Sequence, residues 1–492
     1  MNDSRPNILF IMSDDHAAHA MSCYGSRINT TPQIDRIAEG GMRFNNCFCT
    51  NSLCTPSRAS ILTGTYSHVN GTTTIPIGLD NRLQTFPKLL RASGYQTAVF
   101  GKWHLGDGAR HDPTGFDDWA ILPGQGYYHN PTFRFPGPDG PQRRTVPGYV
   151  TDLITDMSLD WLRRRDRDRP FCLLCHHKAP HAPWYSDEKH AGMYLNETIP
   201  EPETLQDDYA NRALAAERAV MRVGVHMDRK HVHCEMPDNM PEPDLRRWAY
   251  QRYIKNYLRV VASIDDNVGR LLDYLRDEGR EENTLVIYTS DQGFFLGDHG
   301  WYDKRFMYEE SIRMPMVLRY PAEVAPGSTC DDIVLNVDFA SLFCDLAGLD
   351  VPPDMQGRSF RPLWQAPPPE DWRQSMYYRY WENAGGHNVG AHYGVRTRRY
   401  KLVHYYYNGC GQEGADGDAF PWGPQMPSVK GLDPEWELFD LEDDPHELHN
   451  VYGDSAYAPV VAELTAELAR LQAELGDTPC ETGTIEEQKV ER

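Results

Sequence analysis

The pentapeptide Cys54-Thr55-Pro56-Ser57-Arg58 puts a thiol, a turn and a cation into one stretch of chain. Pro56 has no backbone N–H to give, and Ser57 offers a hydroxyl at what the pattern marks as a helix start, with Ala59, Ile61 and Leu62 following. Cys54 then falls just ahead of a helix N-terminus, where developing negative charge is stabilised. Standing alone, the motif also fits a buried structural cysteine beside an incidental arginine, because Cys-x-Pro-x-Arg arises by chance in roughly a few in a hundred chains of this size. Other polar clusters give it a chemical context.

Asp14 and Asp15 are adjacent, and both enter one dry pocket only if a cation neutralises them. Asp291 and the amide oxygen of Gln292 add two more hard oxygen ligands, which describes a divalent site of the calcium or magnesium type rather than a zinc site of imidazoles and thiolates. Either pair in isolation is equally compatible with turn and cap chemistry. Lys102 and His104 alternate, so they face one cleft only where the chain leaves the strand pleat. His181 is bracketed by Pro180 and Pro183, a stiff setting that suits a positioned acid. With Arg58 and Lys304 these residues place three cations and two histidines around one anion. Transfer of a phosphoryl or sulfuryl group needs that set: neutralised oxygens, a metal at the nucleophile and an acid at the leaving oxygen.

Most of these clusters directly follow a short apolar run. Residues 7–12 precede Asp14-Asp15, residues 97–100 precede Gly101-Lys102-Trp103-His104, residues 171–175 precede the His181 loop, and residues 285–288 precede Asp291-Gln292. Continuous apolar runs of this length are parallel strands buried on both faces, and ligands bind beyond their carboxyl ends. An amphipathic helix is expected within residues 32–44, leading back to a strand near Met42–Phe44. Tyr250, Tyr253, Ile254, Tyr257, Leu258, Val261, Ile264, Val268, Leu271, Leu272 and Leu275 recur at helical spacing and point to a core-packing helix ending near Gly279. Residues 196–248 are rich in Pro, Asp and Glu and are expected to form an insertion or lid. Within it, His226, His231, His233 and Cys234 resemble a metal cluster, but no partner pair at zinc-finger spacing follows, which favours a solvated loop.

A linker is expected around Gln365-Ala366-Pro367-Pro368-Pro369-Glu370, dividing a catalytic α/β domain at 1–368 from a smaller domain at 369–492. Residues 376–381, 393–396 and 400–407 are aromatic and β-prone, the pattern of a small antiparallel sheet. Residues 456–475 form an Ala/Glu/Leu-rich amphipathic helix, and a polar, poorly ordered tail is expected after Gly476. Trp381, His387, His392 and Tyr393 either reach over the cleft to a sugar or aryl group or pack the small domain's core.

The 492 residues carry a formal net charge of -22, which argues against nucleic acid as a partner and requires a local cationic pocket for any anionic substrate. No apolar run of about 18 residues is present to span a bilayer. The start Met-Asn-Asp-Ser-Arg-Pro followed by Asn7-Ile8-Leu9-Phe10-Ile11-Met12 is too short and wrongly flanked for a secretory signal, so a soluble cytoplasmic protein is expected. The 11 cysteines lack a disulfide-scaffold spacing and are expected to be reduced. A homo-oligomer is expected only as a general tendency.

The whole set resembles the type I sulfatase family of the alkaline phosphatase superfamily. Cys54-Thr55-Pro56-Ser57-Arg58 looks like its signature, Asp14-Asp15 and Asp291-Gln292 like its metal pairs, and Gly101-Lys102-Trp103-His104 like its second block. Pro180-His181-Ala182-Pro183 and Lys304 match further positions, and Leu438-Phe439-Asp440-Leu441 with Asp444-Pro445 resembles its C-terminal strand. The resemblance implies an alkaline-phosphatase-like sandwich, with a large, mostly parallel sheet flanked by helices and a smaller C-terminal α+β domain. It implies that Cys54 is oxidised to formylglycine by a formylglycine-generating enzyme, and that its hydrated aldehyde attacks a sulfate monoester while completing a metal site of Asp14, Asp15, Asp291 and Gln292. Calcium is expected ahead of manganese or magnesium; many members carry Asn or His where this chain has Gln292. By the same analogy Arg58 and Lys102 support the formylglycine and sulfate oxygens, Lys304 and His181 assist the leaving oxygen, and His104 assists release of sulfate. The substrate is then an aryl or sugar sulfate. A phosphonate monoester or phosphodiester hydrolase shares this nucleophile and metal site, and a non-catalytic binder of sulfated ligands would leave Cys54 as a thiol.

Overall fold

A computed structural model describes residues 5–365, 367–408 and 426–478; the expected polar tail lies largely outside them. The core is a ten-stranded sheet in the order Ser328–Cys330, Met42–Phe44, Met316–Arg319, Thr284–Ser290, Asn7–Ser13, Phe171–His176, Gln96–Lys102, Asp118–Leu122, Thr132–Phe135, Gln142–Thr145. The five strands from Thr284–Ser290 to Asp118–Leu122 run parallel, and four of them, all but Asp118–Leu122, contain the apolar runs of the sequence. Asn7–Ser13, Phe171–His176 and Thr284–Ser290 are buried along their whole length, as continuous hydrophobic strands covered on both faces must be. Antiparallel strands extend the sheet at both sides.

The helix Pro32–Glu39 and the strand Met42–Phe44 fall where expected, the helix stopping short of residue 44 at Gly40-Gly41. A Cβ on Gly41 would lie 2.0 Å from Leu318 O, so the chain must turn there with a residue that has no side chain. The core helix runs Glu242–Asp277 and starts earlier than its apolar stripe, so residues 242–248 belong to it rather than to the preceding segment. Pro243 sits in its first turn, where a missing N–H costs nothing, and Glu242 and Asp244 favour the positive helix end.

The segment ahead of this helix is fastened on two sides. Tyr302 N–H donates to Met221 O at 2.9 Å and Val223 N–H to Gly300 O at 2.8 Å, which ties it to the chain around Lys304. Ala213 N–H donates to Glu437 Oε1 at 2.7 Å, Ala215 N–H to Tyr407 Oη at 3.2 Å and Val220 N–H to His387 O at 2.8 Å, which ties it to the C-terminal part.

That C-terminal part is a four-stranded antiparallel sheet, Ser375–Tyr380, His392–Thr397, Tyr400–Tyr405 and Glu435–Asp440, with the helix Ala458–Leu475 packed on it. Lys401 is fully buried and bridges Glu309 at 3.0 Å and Glu447 at 2.5 Å, so this sheet is joined by charge to the chain just beyond Lys304. Nine cysteines among the described residues are free thiols. No described helix is long and apolar enough to cross a membrane.

Candidate active site

The carboxyl ends of the parallel strands bring the expected residues together. Asp14 and Asp15 follow Asn7–Ser13 directly, and Asp15 takes φ +68°, turning the chain sharply at the strand end. Tyr257 of the core helix pins this turn: its hydroxyl donates to Asp15 O at 2.8 Å and accepts from Ala17 N–H at 2.9 Å. The helical stripe read as core packing therefore also supports the site. Asp291 follows Thr284–Ser290, and Asp15 N–H donates to Asp291 Oδ1 at 3.2 Å. Ligand oxygens of Asp14, Asp15 and Asp291 lie within 4.8 Å of one another.

Cys54 is the first residue of the helix Cys54–Thr63 rather than a residue ahead of it. Ser57 N–H is the donor that closes the first turn, to Leu53 O at 2.9 Å, so Pro56 stands where no N–H is needed. The Ser57 hydroxyl does not cap the helix. It donates to Asp291 O and accepts from Asn336 Nδ2 at 2.9 Å, and Asn336 Oδ1 in turn accepts from Thr50 N–H at 3.2 Å.

Cys54 is buried, and its Sγ lies 3.0 Å from His104 Nδ1. Lys102 and His104 do leave the pleat: Gly101 adopts φ +109°, where a Cβ would meet His176 O at 1.9 Å, and His104 adopts φ +52°. Lys102 Nζ bonds Asp14 Oδ2 and Gln125 Oε1. Lys304 Nζ bonds both oxygens of Asp15, at 2.6 and 2.8 Å. Arg58 Nε stands 2.9 Å from Asp291 Oδ2, and its Nη1 donates to Lys102 O at 2.9 Å. His181 Nδ1 faces Ala182 O at 2.8 Å, and because a carbonyl only accepts, Nδ1 carries the proton. Its Nε2 is turned to Asp15 Oδ2 at 3.8 Å.

Burial raises the Asp15 carboxyl to about 7, reinforced by Asp14 and Asp291 against the pull of Lys304. Burial and Asp14 raise Asp291 to about 6, against Arg58. Burial also acts on Asp14, but Lys102, His181, Arg58 and Lys304 together hold it well below the usual carboxylate range. Burial raises the Cys54 thiol, and burial with Lys102 lowers His104 to about 2. Three carboxylates in one dry pocket, two of them raised by burial and by their acidic neighbours, are the electrostatic counterpart of a cation site. Asp14 Oδ1 and Gln292 Oε1 are buried with no hydrogen-bond donor, while Gln292 Nε2 is spent on Asp15. The donor set is therefore all oxygen, and it fits a hard divalent ion.

Gln125 and Asn336 were not singled out from sequence, and Tyr257 was read there only as core packing. Each acts through a partner remote in the chain or through a backbone carbonyl, which no local pattern records. The His226 group does not converge: His226 Nδ1 accepts from Arg222 N–H, His231 Nδ1 accepts from Asp228 N–H, the His233 ring stacks on Tyr185, and Cys234 is exposed. Among the described residues the acidic triad is the one group with metal-ligand spacing. His392 is core, stacked between Tyr378 and Tyr380, and Tyr393 packs on Tyr406. Trp381 lies under the Arg379 guanidinium at 3.5 Å. His387 pairs at 3.0 Å with Asp303, the neighbour of Lys304, and so belongs beside the cleft.

Residues 6–349 match the sulfatase family model, and residues 297–418 and 431–474 match that of the N-sulphoglucosamine sulphohydrolase C-terminal region. The chain is 40% identical to an N-acetylglucosamine-6-O-sulfatase of Bacteroides thetaiotaomicron, over 98% of this chain and 89% of that protein. It superposes with a TM-score of 0.87 and 40% identity on a structure solved in complex with its substrate D-glucosamine-2-N,6-O-disulfate, covering 96% of this chain and 98% of that one. A phosphonate monoester hydrolase of Agrobacterium radiobacter shares the fold, with a TM-score of 0.74 at 20% identity over 96% of both chains. The sulfatase match spans every residue of the cluster from Asp14 to Lys304, and the chain belongs to the sulfatase family.

Proposed function

We propose that this sulfatase cleaves a sulfate monoester from a sugar hydroxyl, with position 6 of an N-substituted glucosamine as the best-supported target. The observation that carries the reading is Cys54 Sγ 3.0 Å from His104, with Arg58, Lys102 and Lys304 near enough to act on it electrostatically. Near-full-length similarity to an N-acetylglucosamine-6-O-sulfatase supports the sugar.

Cys54 is taken to act as formylglycine, installed by a formylglycine-generating enzyme. Asp14, Asp15, Asp291 and Gln292 would hold a divalent ion, calcium ahead of manganese or magnesium, which when bound supplies Lewis-acid polarisation and favours the ionised nucleophile. Arg58 and Lys102 bring positive charge to the sulfate oxygens in a water-poor pocket, where such charge is strongest. His104 Nδ1, next to the Cβ substituent of residue 54, is placed to take the proton whose loss frees sulfate. Lys304 and His181 stand on the Asp15 side and attend the leaving oxygen. Asp303 and His387 beside Lys304 offer a carboxylate and an imidazole to sugar hydroxyls.

The test compares kcat/KM for glucosamine 6-O-sulfate with that for a phosphonate monoester, together with the intact mass of the Cys54 peptide. A preference for the phosphonate would move the chain to the other branch of the fold. An unmodified Cys54 in fully active enzyme would remove the formylglycine.

A further inference from the structure

Lys178 lies in the loop that carries His181, with 1% of its surface exposed. No carboxylate among the described residues lies within ion-pair distance of its ammonium. Its contacts are a hydrogen bond from Nζ to Ala182 O at 3.1 Å and the face of the Tyr128 ring, 4.6 Å from Nζ to the centroid. A buried cation without a counter-ion is costly, so what offsets that cost here is the carbonyl and the aromatic face.

Ala182 O is also the acceptor for His181 Nδ1, at 2.8 Å. One carbonyl thus receives the ammonium and the imidazole together. Tyr128 closes the frame from the other side: its hydroxyl donates to His181 O at 2.6 Å while its ring carries the ammonium. The ring and backbone of His181 are thereby held by these two residues, and Nε2 is left facing Asp15 at 3.8 Å.

We infer that Lys178 is a positioning residue for His181: clamped on Tyr128, its ammonium fixes the Ala182 carbonyl that sets the tautomer and direction of the His181 ring. This rests on the role of His181 at the leaving oxygen. In that step the sulfuryl group forms its new bond to the oxygen on residue 54 as its bond to the sugar oxygen breaks, with the electron pair going to the sugar oxygen. His181, which must carry a second proton on Nε2 for the step, gives it to the sugar oxygen, and neutral imidazole remains with its proton on Nδ1. A ring free to turn would present Nε2 less often.

The experiment uses mature, metal-loaded enzyme and two esters, glucosamine 6-O-sulfate, whose leaving oxygen needs a proton, and 4-nitrophenyl sulfate, whose leaving group departs without one. Lys178→Met is expected to lower kcat on the sugar ester by about 10²-fold, with KM and the nitrophenyl rate both within about threefold of wild type. Lys178→Arg, which can reach the same carbonyl and stack on the same ring, is expected to recover most of the loss. Equal losses on both esters, or no loss on the sugar ester, would overturn the assignment. His181→Gln is run beside it: selectivity there but not in Lys178→Met refutes Lys178 alone, and its absence in His181→Gln refutes the role of His181 and the inference with it. Should Lys178→Met not fold, Tyr128→Leu replaces it, since loss of the ring support must yield the same preference for the nitrophenyl ester.

Discussion

Arg58 and Asp291 form a buried ion pair, Nε to Oδ2 at 2.9 Å, with side-chain exposures of 2% and 0%. The pair fastens the helix that begins at Cys54 to the strand end that bears the third carboxylate, so Cys54 and the acidic cluster are tied by one contact.

Breaking that contact has a cost in stability as well as rate. Arg58→Ala leaves Asp291 buried and uncompensated, and a loss of about 3–5 kcal/mol is expected from denaturant unfolding. Arg58→Lys keeps the charge but gives up the fork that also reaches Lys102 O, so it should fold and still lose on the order of 10²-fold in kcat/KM.

Cys54→Ala removes the reacting group and little else, because the residue is small and the helix start relies on backbone bonds. Turnover should fall below detection while the thermal midpoint stays within a few degrees of wild type. Retained activity would refute the mechanism.

Removal of divalent ions by a chelator is expected to abolish turnover and lower the thermal midpoint, since Asp14, Asp15 and Asp291 then repel one another in a dry site. Calcium should restore both at lower concentration than magnesium. Gln292→Ala, which deletes the donor-free Oε1, should raise the calcium concentration needed for half-recovery by roughly tenfold or more.

A pH test falls well away from the cleft, at Glu437. Burial raises its carboxyl from 4.5 to about 7, with Ala213 N–H, Tyr405 and Arg212 opposing and Glu435 reinforcing. The folded form therefore keeps a proton that the unfolded chain releases, so the favourable contribution is full below about pH 4.5 and is lost as pH rises to about 7. Glu437→Gln should match wild type near pH 4.5 and exceed it at pH 8, by no more than about 3 kcal/mol in unfolding free energy.

His387→Ala is expected to act on recognition. It should raise KM for glucosamine 6-O-sulfate by about tenfold, roughly the value of one buried hydrogen bond to a charged group, and leave 4-nitrophenyl sulfate nearly unchanged.

Much of this architecture was legible in the chain. The parallel strands are short apolar runs because both their faces are covered, and reactive residue types directly after such runs mark the carboxyl edge of a sheet. Asp14, Asp15, Lys102, Asp291 and the His181 loop were located on that ground alone. The outer strands were not, because Gln142-Arg143-Arg144-Thr145 is exposed throughout and carries no apolar alternation to detect. The helix start was placed too late by a rule about Ser57, whose hydroxyl is used 234 residues away at Asp291 instead. Asn336 meets Ser57 across 279 residues, a contact that single-sequence patterns do not encode.

Cys54 has 1% of its surface exposed and is walled in by Arg58, His104 and Lys102. On the proposed reading a second protein must oxidise this sulfur, and in the folded chain Thr55, Pro56 and Arg58 beside it are buried as well. Under that reading packing sets an order in time: the sulfur is within reach of another protein only while the helix from Cys54 is open, and a chain that folds first keeps a thiol there.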